Sequence, residues 1–261
     1  MIRALLRRLK SGSEERNYGR AAVRRALAAF DDTQEAGARR AVLDIGAGTG
    51  KDLAIAREVF GDQGRYVGVD GWEPNLRRLQ ASGLGAVRLD VERERLPFED
   101  GAFDVVIANQ VLEHVKEIFW ITSEMARVLR PEGLLVVGVP NLAALHNRVA
   151  LLFGMQPTCI QVASAHVRGF TYPGLAGFLE RNGYLTVTGR AGSNVYPFGA
   201  WVSGVLERLL PTIAVGLVVQ ARRTAKVGSF LEVLDEEVLE TPYFRGPVAV
   251  DRHAPGEAGG G

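Results

Sequence analysis

Residues 42–52, VLDIGAGTGKD, restrict the folds open to this chain more than any other stretch. The apolar run 41–45 carries one acid, Asp44, near its end and passes directly into Gly46, Gly48 and Gly50. A short apolar run without polar alternation is a strand buried on both faces. Glycines just beyond such a strand permit positive φ and let a ligand approach the main chain. The spacing predicts a helix over 51–60, whose first amides and positive end face the same spot. Strand, glycine loop and helix in this order open an α/β sheet. The loop departs from the dinucleotide fingerprint, since Gly50 is followed by Lys51, and no Lys-Ser/Thr pair marks a triphosphate loop.

The rest of the chain continues the alternation. Strands are predicted over 66–70, 86–90, 103–109 and 134–139, and helices over 19–30, 75–82, 111–114 and 118–129. Beyond Pro140 the pattern changes to an apolar helix over 142–153, an irregular stretch to Arg168, and a helix over 172–182 that Gly183 stops. Strands over 184–190 and 213–221 follow, separated by an apolar helix over 201–210. At 261 residues this is one large domain with additions: an N-terminal helical arm (1–35), the α/β domain (36–225) with insertions at about 141–170 and 192–212, and a C-terminal extension (226–261). From about Thr241, ending APGEAGGG, the extension reads as a disordered tail.

Acids stand at three successive strand ends: Asp44, Asp70 and Asp90. A carboxylate at Asp70 can accept both ribose hydroxyls of an adenosine, and Asp90 beside the Val91 amide can read the amino edge of an adenine. Each acid could equally cap the segment that follows it. Together with the loop, the blocks YVGVDGWEP, VRLDVERERLPFEDGAFDVVIANQVLEHV and EMARVLRPEGLLVVGVPN make residues 40–140 resemble the class I S-adenosylmethionine-dependent methyltransferases, in particular bacterial methyltransferases of types 11 and 23. The resemblance implies a Rossmann-like, doubly wound, mostly parallel seven-stranded sheet with helices on both faces and an antiparallel last strand, a role the 213–221 strand fits. It implies that Asp44 and the loop Gly46, Ala47, Gly48 and Gly50 hold the methionine part of S-adenosylmethionine. Asp70, with Gly71 beside it, would hold the ribose, Asp90 and Val91 would flank the adenine, and Asn109 and Gln110 would face the sulfonium. PNLAALHNRVALLFGMQP and HVRGFTYPGLAGFLERNGY further resemble methyltransferases of bacterial glycan, lipid or natural-product pathways.

A hydroxyl acceptor has to lose a proton, which invites a general base. His146 and His166, in the segment beyond Pro140, and His114, in LEHV, are the candidates, and each could instead order a loop. His253 in the tail is set aside. The histidines are dispersed and no Cys or His pair has ligand spacing, so no metal is expected. Phe170, Tyr172, Tyr196, Phe198 and Trp201 line an acceptor pocket or belong to the core, and Tyr18 lines the site or simply packs. A net charge of +1, with no appended basic-aromatic domain, argues against a nucleic-acid partner. The expected activity is methylation of a small-molecule acceptor, with O-methylation foremost. The alternatives are a cofactor-binding protein without turnover and a nucleic-acid methyltransferase. The single cysteine, Cys159, forbids an intrachain disulfide and fits a reducing cytoplasm. The first ten residues, MIRALLRRLK, pair an apolar face with a basic one, suited to packing on the domain or to peripheral contact with an anionic membrane surface.

Overall fold

The computed structural model describes residues 19–35, 37–196, 198, 200–236 and 242–247. The basic arm, Tyr18 and His253 lie outside the described residues. A seven-stranded sheet organises the chain in the order β3-β2-β1-β4-β5-β7-β6. Its strands are β1 (Ala41–Ile45), β2 (Arg65–Asp70), β3 (Gly85–Arg88), β4 (Phe103–Asn109), β5 (Leu129–Pro140), β6 (Leu185–Ser193) and β7 (Gly216–Arg223). β1 pairs in parallel with β2 and β4, β2 with β3, and β4 with β5. β7 runs antiparallel to both β5 and β6, so it alone is reversed. The doubly wound sheet with a reversed last strand is therefore present. The order turns at β1, where connections to β2 and β4 leave in opposite directions; crevices at such points are where α/β sheets bind ligands.

Both faces of the sheet are covered, which is why its central strands read as unbroken apolar runs. Alternate residues feed two cores. Leu43, Ile45, Val106, Ala108, Leu135 and Val137 face α4 (Ile118–Val128), through Ile121 and Met125. Val42, Val105, Ile107, Leu134 and Val136 face the other side. There they meet α1 (Arg20–Asp31), α2 (Lys51–Phe60) and α3 (Glu73–Ala81). α1 buries Ala22, Val23, Ala26, Leu27 and Phe30, one stripe of a 3.6-residue period.

Several boundaries differ from the sequence reading. Residues 111–114 form a turn rather than a helix. The Glu113 carbonyl accepts from Val167 and Arg168 N, while Glu117 N donates to the Glu92 carboxylate, so the bonds that would continue a helix are used elsewhere. α5 covers only Leu145–Leu152, because Leu142 N is held by the Phe170 carbonyl and Ala143 N by the Asn141 side chain. α6 (Tyr172–Leu179) is shorter than predicted, and Asn182 turns left-handed at φ 60 before β6. A short 3-10 turn over Pro211–Ile213 delays β7.

α5 and α7 (Ala200–Leu209) do not bury the apolar residues that marked them. Leu152, Phe153 and Trp201 are 83%, 76% and 81% exposed. Of the pocket-or-core aromatics, Phe170 is buried in the core, Tyr172 packs against it, and Phe198 is exposed. The C-terminal extension is in part a packed segment: Phe230, Val233 and Leu234 are buried, and within the stretch read as tail Tyr243 meets Phe119 and Phe244 meets Trp120 edge to face. The apolar stretches that hold these few anchors are too short to stand out in the sequence. Among the described residues no helix is long and apolar enough to cross a membrane.

Candidate functional site

The site forms where β1, β2, β3 and β4 end. Gly48 takes φ 54 and Gly50 φ 79, both left-handed. Their surroundings differ. A Cβ on Gly50 would lie 2.7 Å from Leu79 Cδ2, inside the core, whereas one on Gly48 would find nothing nearer than the Gly46 carbonyl oxygen at 4.0 Å. Gly50 is thus fixed by packing, and Gly48 leaves open space on the side where a ligand would lie.

Asp70 ties this loop to the second strand. Its carboxylate accepts from Gly48 N (2.9 Å), Trp72 N (2.8 Å) and Asn75 Nδ2 (3.0 Å). The loop-fixing role weighed for it is real, though it does not cap α3, and Asp70 still lines a pocket of roughly 630 Å³. Gly46, Gly71, Asp90, Val91 and His114 line the same pocket. Its size falls within the range of small-ligand sites. Asp90 closes an Asx turn by accepting from Glu92 N (3.0 Å) and remains exposed.

Asp44 and Asn109 sit deeper. Asp44 is 2% exposed, and burial, then the nearby Asp52 charge, push its carboxyl well above the usual range. Asp52, in the first turn of α2, is raised by the same desolvation, countered by Arg20 and by a hydrogen bond from Asn109 Nδ2 (3.1 Å). Arg20 Nε of α1 stands 3.4 Å from Asp52. Asp44 Oδ2 and Asn109 Oδ1 are buried without a hydrogen-bond partner. Gln110 follows in a left-handed conformation, φ 63, held by its N–H to the Gly138 carbonyl (2.7 Å). Such a conformation in a non-glycine residue stores strain, a feature that collects at functional sites. Sequence reasoning missed Arg20 and Asp52. Asp52 carried a usable signal, being an acid one turn past the glycines; Arg20 carried none, because only the fold brings α1 here.

The histidines separate into two groups. His146 on α5 bonds to Thr158 Oγ1 (2.8 Å) and lies edge-on to Tyr196, and it does not line the strand-end pocket. His114 and His166 meet edge to face, ring centres 4.7 Å apart, with the buried Glu113 carboxyl beside them. The expectation that dispersed histidines leave no ligand cluster is thereby corrected: the 165–168 segment folds back onto the Glu113 carbonyl and joins His166 to His114. Desolvation lifts Glu113 to about 7.

Residues 43–137 match the methyltransferase domain family. The chain carries a class I S-adenosylmethionine-dependent methyltransferase domain. An uncharacterized methyltransferase of Mycobacterium leprae is 36% identical over 104 residues, which are 38% of this chain and 36% of its own length. Among solved structures, the methyltransferase chain of a Haloferax volcanii complex with the Trm112 methyltransferase activator superposes with a TM-score of 0.58 at 20% identity, covering 80% of this chain and 91% of that one. The 1,6-didemethyltoxoflavin-N1-methyltransferase of Burkholderia thailandensis, with its acceptor and S-adenosylhomocysteine bound, gives 0.50 at 23% identity, covering 78% and 79%. At these identities the solved structures speak for the fold alone. The matched stretch spans about a third of the length of the first curated relatives, 33% and 36%. The domain's cofactor is S-adenosylmethionine, and the strand-end pocket fits it. The pocket is of ligand size, Gly48 leaves room against the main chain, and two buried acceptors beside the loop lack partners.

The LPFEDGAFDVV block of this methyltransferase domain has a structural task. Arg127 of α4 donates to the Leu96 and Phe98 carbonyls and to Asp100, and it pairs with buried Glu124, which accepts from Leu96 N. Phe98 packs edge to face on Phe103. The block clamps the β3–β4 connection against α4.

Proposed function

We propose that this protein transfers the methyl group of S-adenosylmethionine to an oxygen of a small-molecule acceptor, such as a glycan, lipid or natural-product intermediate. The carrying observation is the strand-end pocket with Asp70 at one wall and His114 at another. Asp70 receives the ribose through Oδ1, which keeps one acceptor position beyond Trp72 N, while Oδ2 already takes Gly48 N and Asn75 Nδ2. Asp90 and Val91 lie along the adenine, and the Gly46–Gly50 loop with Asp44 lies along the methionine, whose ammonium suits the buried acids. Bound S-adenosylmethionine supplies an electrophilic methyl whose leaving group is a neutral thioether, so no acid need assist departure. The chain's task is to place the acceptor oxygen about 3 Å from that methyl, opposite sulfur, and to let it shed its proton. We assign the second task to the cluster of Glu113, His114 and His166 at the acceptor end. The Burkholderia thailandensis neighbour, which acts on a small molecule within the same fold, supports a small acceptor here.

Calorimetry with the cofactor and mass spectrometry of treated metabolite extracts test this reading. Asp70→Ala removes a charge-assisted hydrogen bond to the ribose worth about 1.5–3 kcal/mol, so affinity should fall at least about tenfold. Wild-type protein should yield a product heavier by one methylene. A folded wild-type protein that fails to bind the cofactor ends the proposal, as does unchanged affinity in Asp70→Ala.

A further inference from the structure

We propose that Glu113, His114 and His166 bind a divalent transition-metal ion of the zinc kind, with an open position toward the acceptor. The three side chains present one carboxylate oxygen and two ring nitrogens, all within 4.8 Å of one another. His114 Nδ1 lies 3.2 Å from the Ala165 carbonyl and His166 Nδ1 lies 2.6 Å from the Cys159 carbonyl. A carbonyl only accepts, so both Nδ1 atoms carry a proton, and in the neutral rings the lone pair is on Nε2. This is the arrangement that orients metal-ligating histidines: one nitrogen anchored to a carbonyl, the other free to ligate. His114 Nε2 stands 3.9 Å from Glu113 Oε1, too far for a hydrogen bond.

Glu113 supplies an independent reason. Its side chain is 1% exposed and neither oxygen has a hydrogen-bond partner. A buried carboxyl without partners is costly, and here it stands beside two imidazole rings with which it makes no hydrogen bond. Once Glu113 is ionised and the rings are neutral, a carboxylate and two acceptor nitrogens share one space. A cation resolves that mismatch by accepting all three.

Bond lengths of about 2.0–2.2 Å put ligand atoms about 3.3 Å apart in a tetrahedron, so closing the present separations takes a small rotation of the two rings. Two imidazoles favour zinc, cobalt or nickel over magnesium or calcium, which prefer oxygen. Three protein ligands leave a fourth position open, the pattern of catalytic rather than structural zinc. His114 lines the strand-end pocket, so the open position faces that pocket. The site itself needs no assumption about methyl transfer; its role rests on the reading given under Proposed function. In that role the acceptor hydroxyl binds the cation through oxygen and releases its proton to water. The oxygen–methyl bond then forms as the methyl–sulfur bond breaks, and the sulfur keeps the electron pair as a neutral thioether.

The full chain, stripped with chelator, should be titrated with Zn2+ and with Mg2+ by calorimetry, and with Co2+ by visible spectroscopy. One equivalent of Zn2+ should bind, Mg2+ should not compete, and Co2+ should give ligand-field bands without a thiolate charge-transfer band. Glu113→Gln, His114→Ala and His166→Ala should each weaken Zn2+ on the order of 100-fold, and His146→Ala should not. The proposal is overturned by the absence of stoichiometric Zn2+ binding to wild-type protein, by affinity that survives all three substitutions, or by a thiolate band assigning the metal to Cys159. The wild-type Co2+ spectrum decides the matter even if a variant misfolds. Cofactor calorimetry in parallel separates the two readings: cofactor binding without Zn2+ binding removes only the metal site, and the converse removes only the methyltransferase reading.

Discussion

Gly48 and Gly50 offer a test in which stability and binding part company. Both take positive φ, so replacing either by alanine costs about 1–2 kcal/mol for the left-handed backbone. At Gly50 the new methyl group also meets Leu79 Cδ2 at 2.7 Å and Leu84 Cδ1 at 3.0 Å. Overpacking of this kind adds about 1–3 kcal/mol, for a total of roughly 2–5 kcal/mol. At Gly48 no such contact exists, and the backbone term stands alone. For a chain of this size 1 kcal/mol moves Tm by about 2–4 °C. Gly48→Ala should therefore melt about 2–8 °C below wild type, and Gly50→Ala further below still. Cofactor affinity should rank the other way: Gly48→Ala fills the open side of the loop and should lose binding at least about tenfold despite its milder destabilisation. Differential scanning calorimetry and cofactor titration on the same preparations give both numbers. If Gly48→Ala binds as wild type does, the loop is only a turn and the cofactor lies elsewhere. If Gly50→Ala is the more stable variant, the packing argument is wrong.

Burial raises the Glu113 carboxyl from 4.5 to about 7, so the folded state holds a proton that the unfolded state has released between those values. Stability from this group is full below pH about 4.5 and is lost as pH rises through about 7; in chelated protein Glu113→Gln should be neutral near pH 4 and stabilising by up to about 3 kcal/mol above pH 7, and urea titrations showing an equal gain at both pH values would refute it. Arg127→Met should cost about 3–5 kcal/mol, because it leaves buried Glu124 charged and unpaired; adding Glu124→Leu should recover a measurable part, and a double variant no more stable than the single would show that the carbonyl contacts, not the ion pair, carry the clamp.

The central sheet was legible because parallel strands buried on both faces are mostly apolar, and β1, β2 and β4 carry apolar runs with their polar residues near the ends. Their carboxyl ends could be located from Asp44, Asp70 and Asn109, and that placed the pocket. Beyond Pro140 local pattern failed. The apolar residues of α5 and α7 predicted burial, but Leu152 and Trp201 are exposed, since hydrophobicity fixes no partner when the helix sits on an insertion. Residues 111–114 looked helical by composition, yet side-chain and long-range hydrogen bonds took the groups a helix would use. Glu113 and His166 lie far apart in sequence, and their meeting depends on the 165–168 segment folding back, which no spacing rule encodes. The C-terminal anchors Phe230, Tyr243 and Phe244 stand in apolar stretches too short for periodicity to detect.

The buried groups without partners have a physical logic. Asp44 Oδ2, Asn109 Oδ1 and both Glu113 oxygens lie at the carboxyl ends of β1 and β4 or just beyond. Each costs about 1–3 kcal/mol while unpaired, against a total stability of about 5–15 kcal/mol for a typical domain. A left-handed Gln110 adds strain at the same place. On α4, Arg127 alone makes five hydrogen bonds, to Glu124, Asp100, Phe98 and Leu96, although Trp120 Nε1 and Thr122 Oγ1 of the same helix are buried without a hydrogen-bond partner. The strand-end groups are set apart by being acceptors only, gathered beside the candidate site. The deficit is useful only if something with donors or positive charge arrives there, and an ammonium, a ribose hydroxyl and a metal ion each answer it. Binding then returns free energy that folding withheld, so stability and ligand affinity in this domain are coupled through the same few atoms.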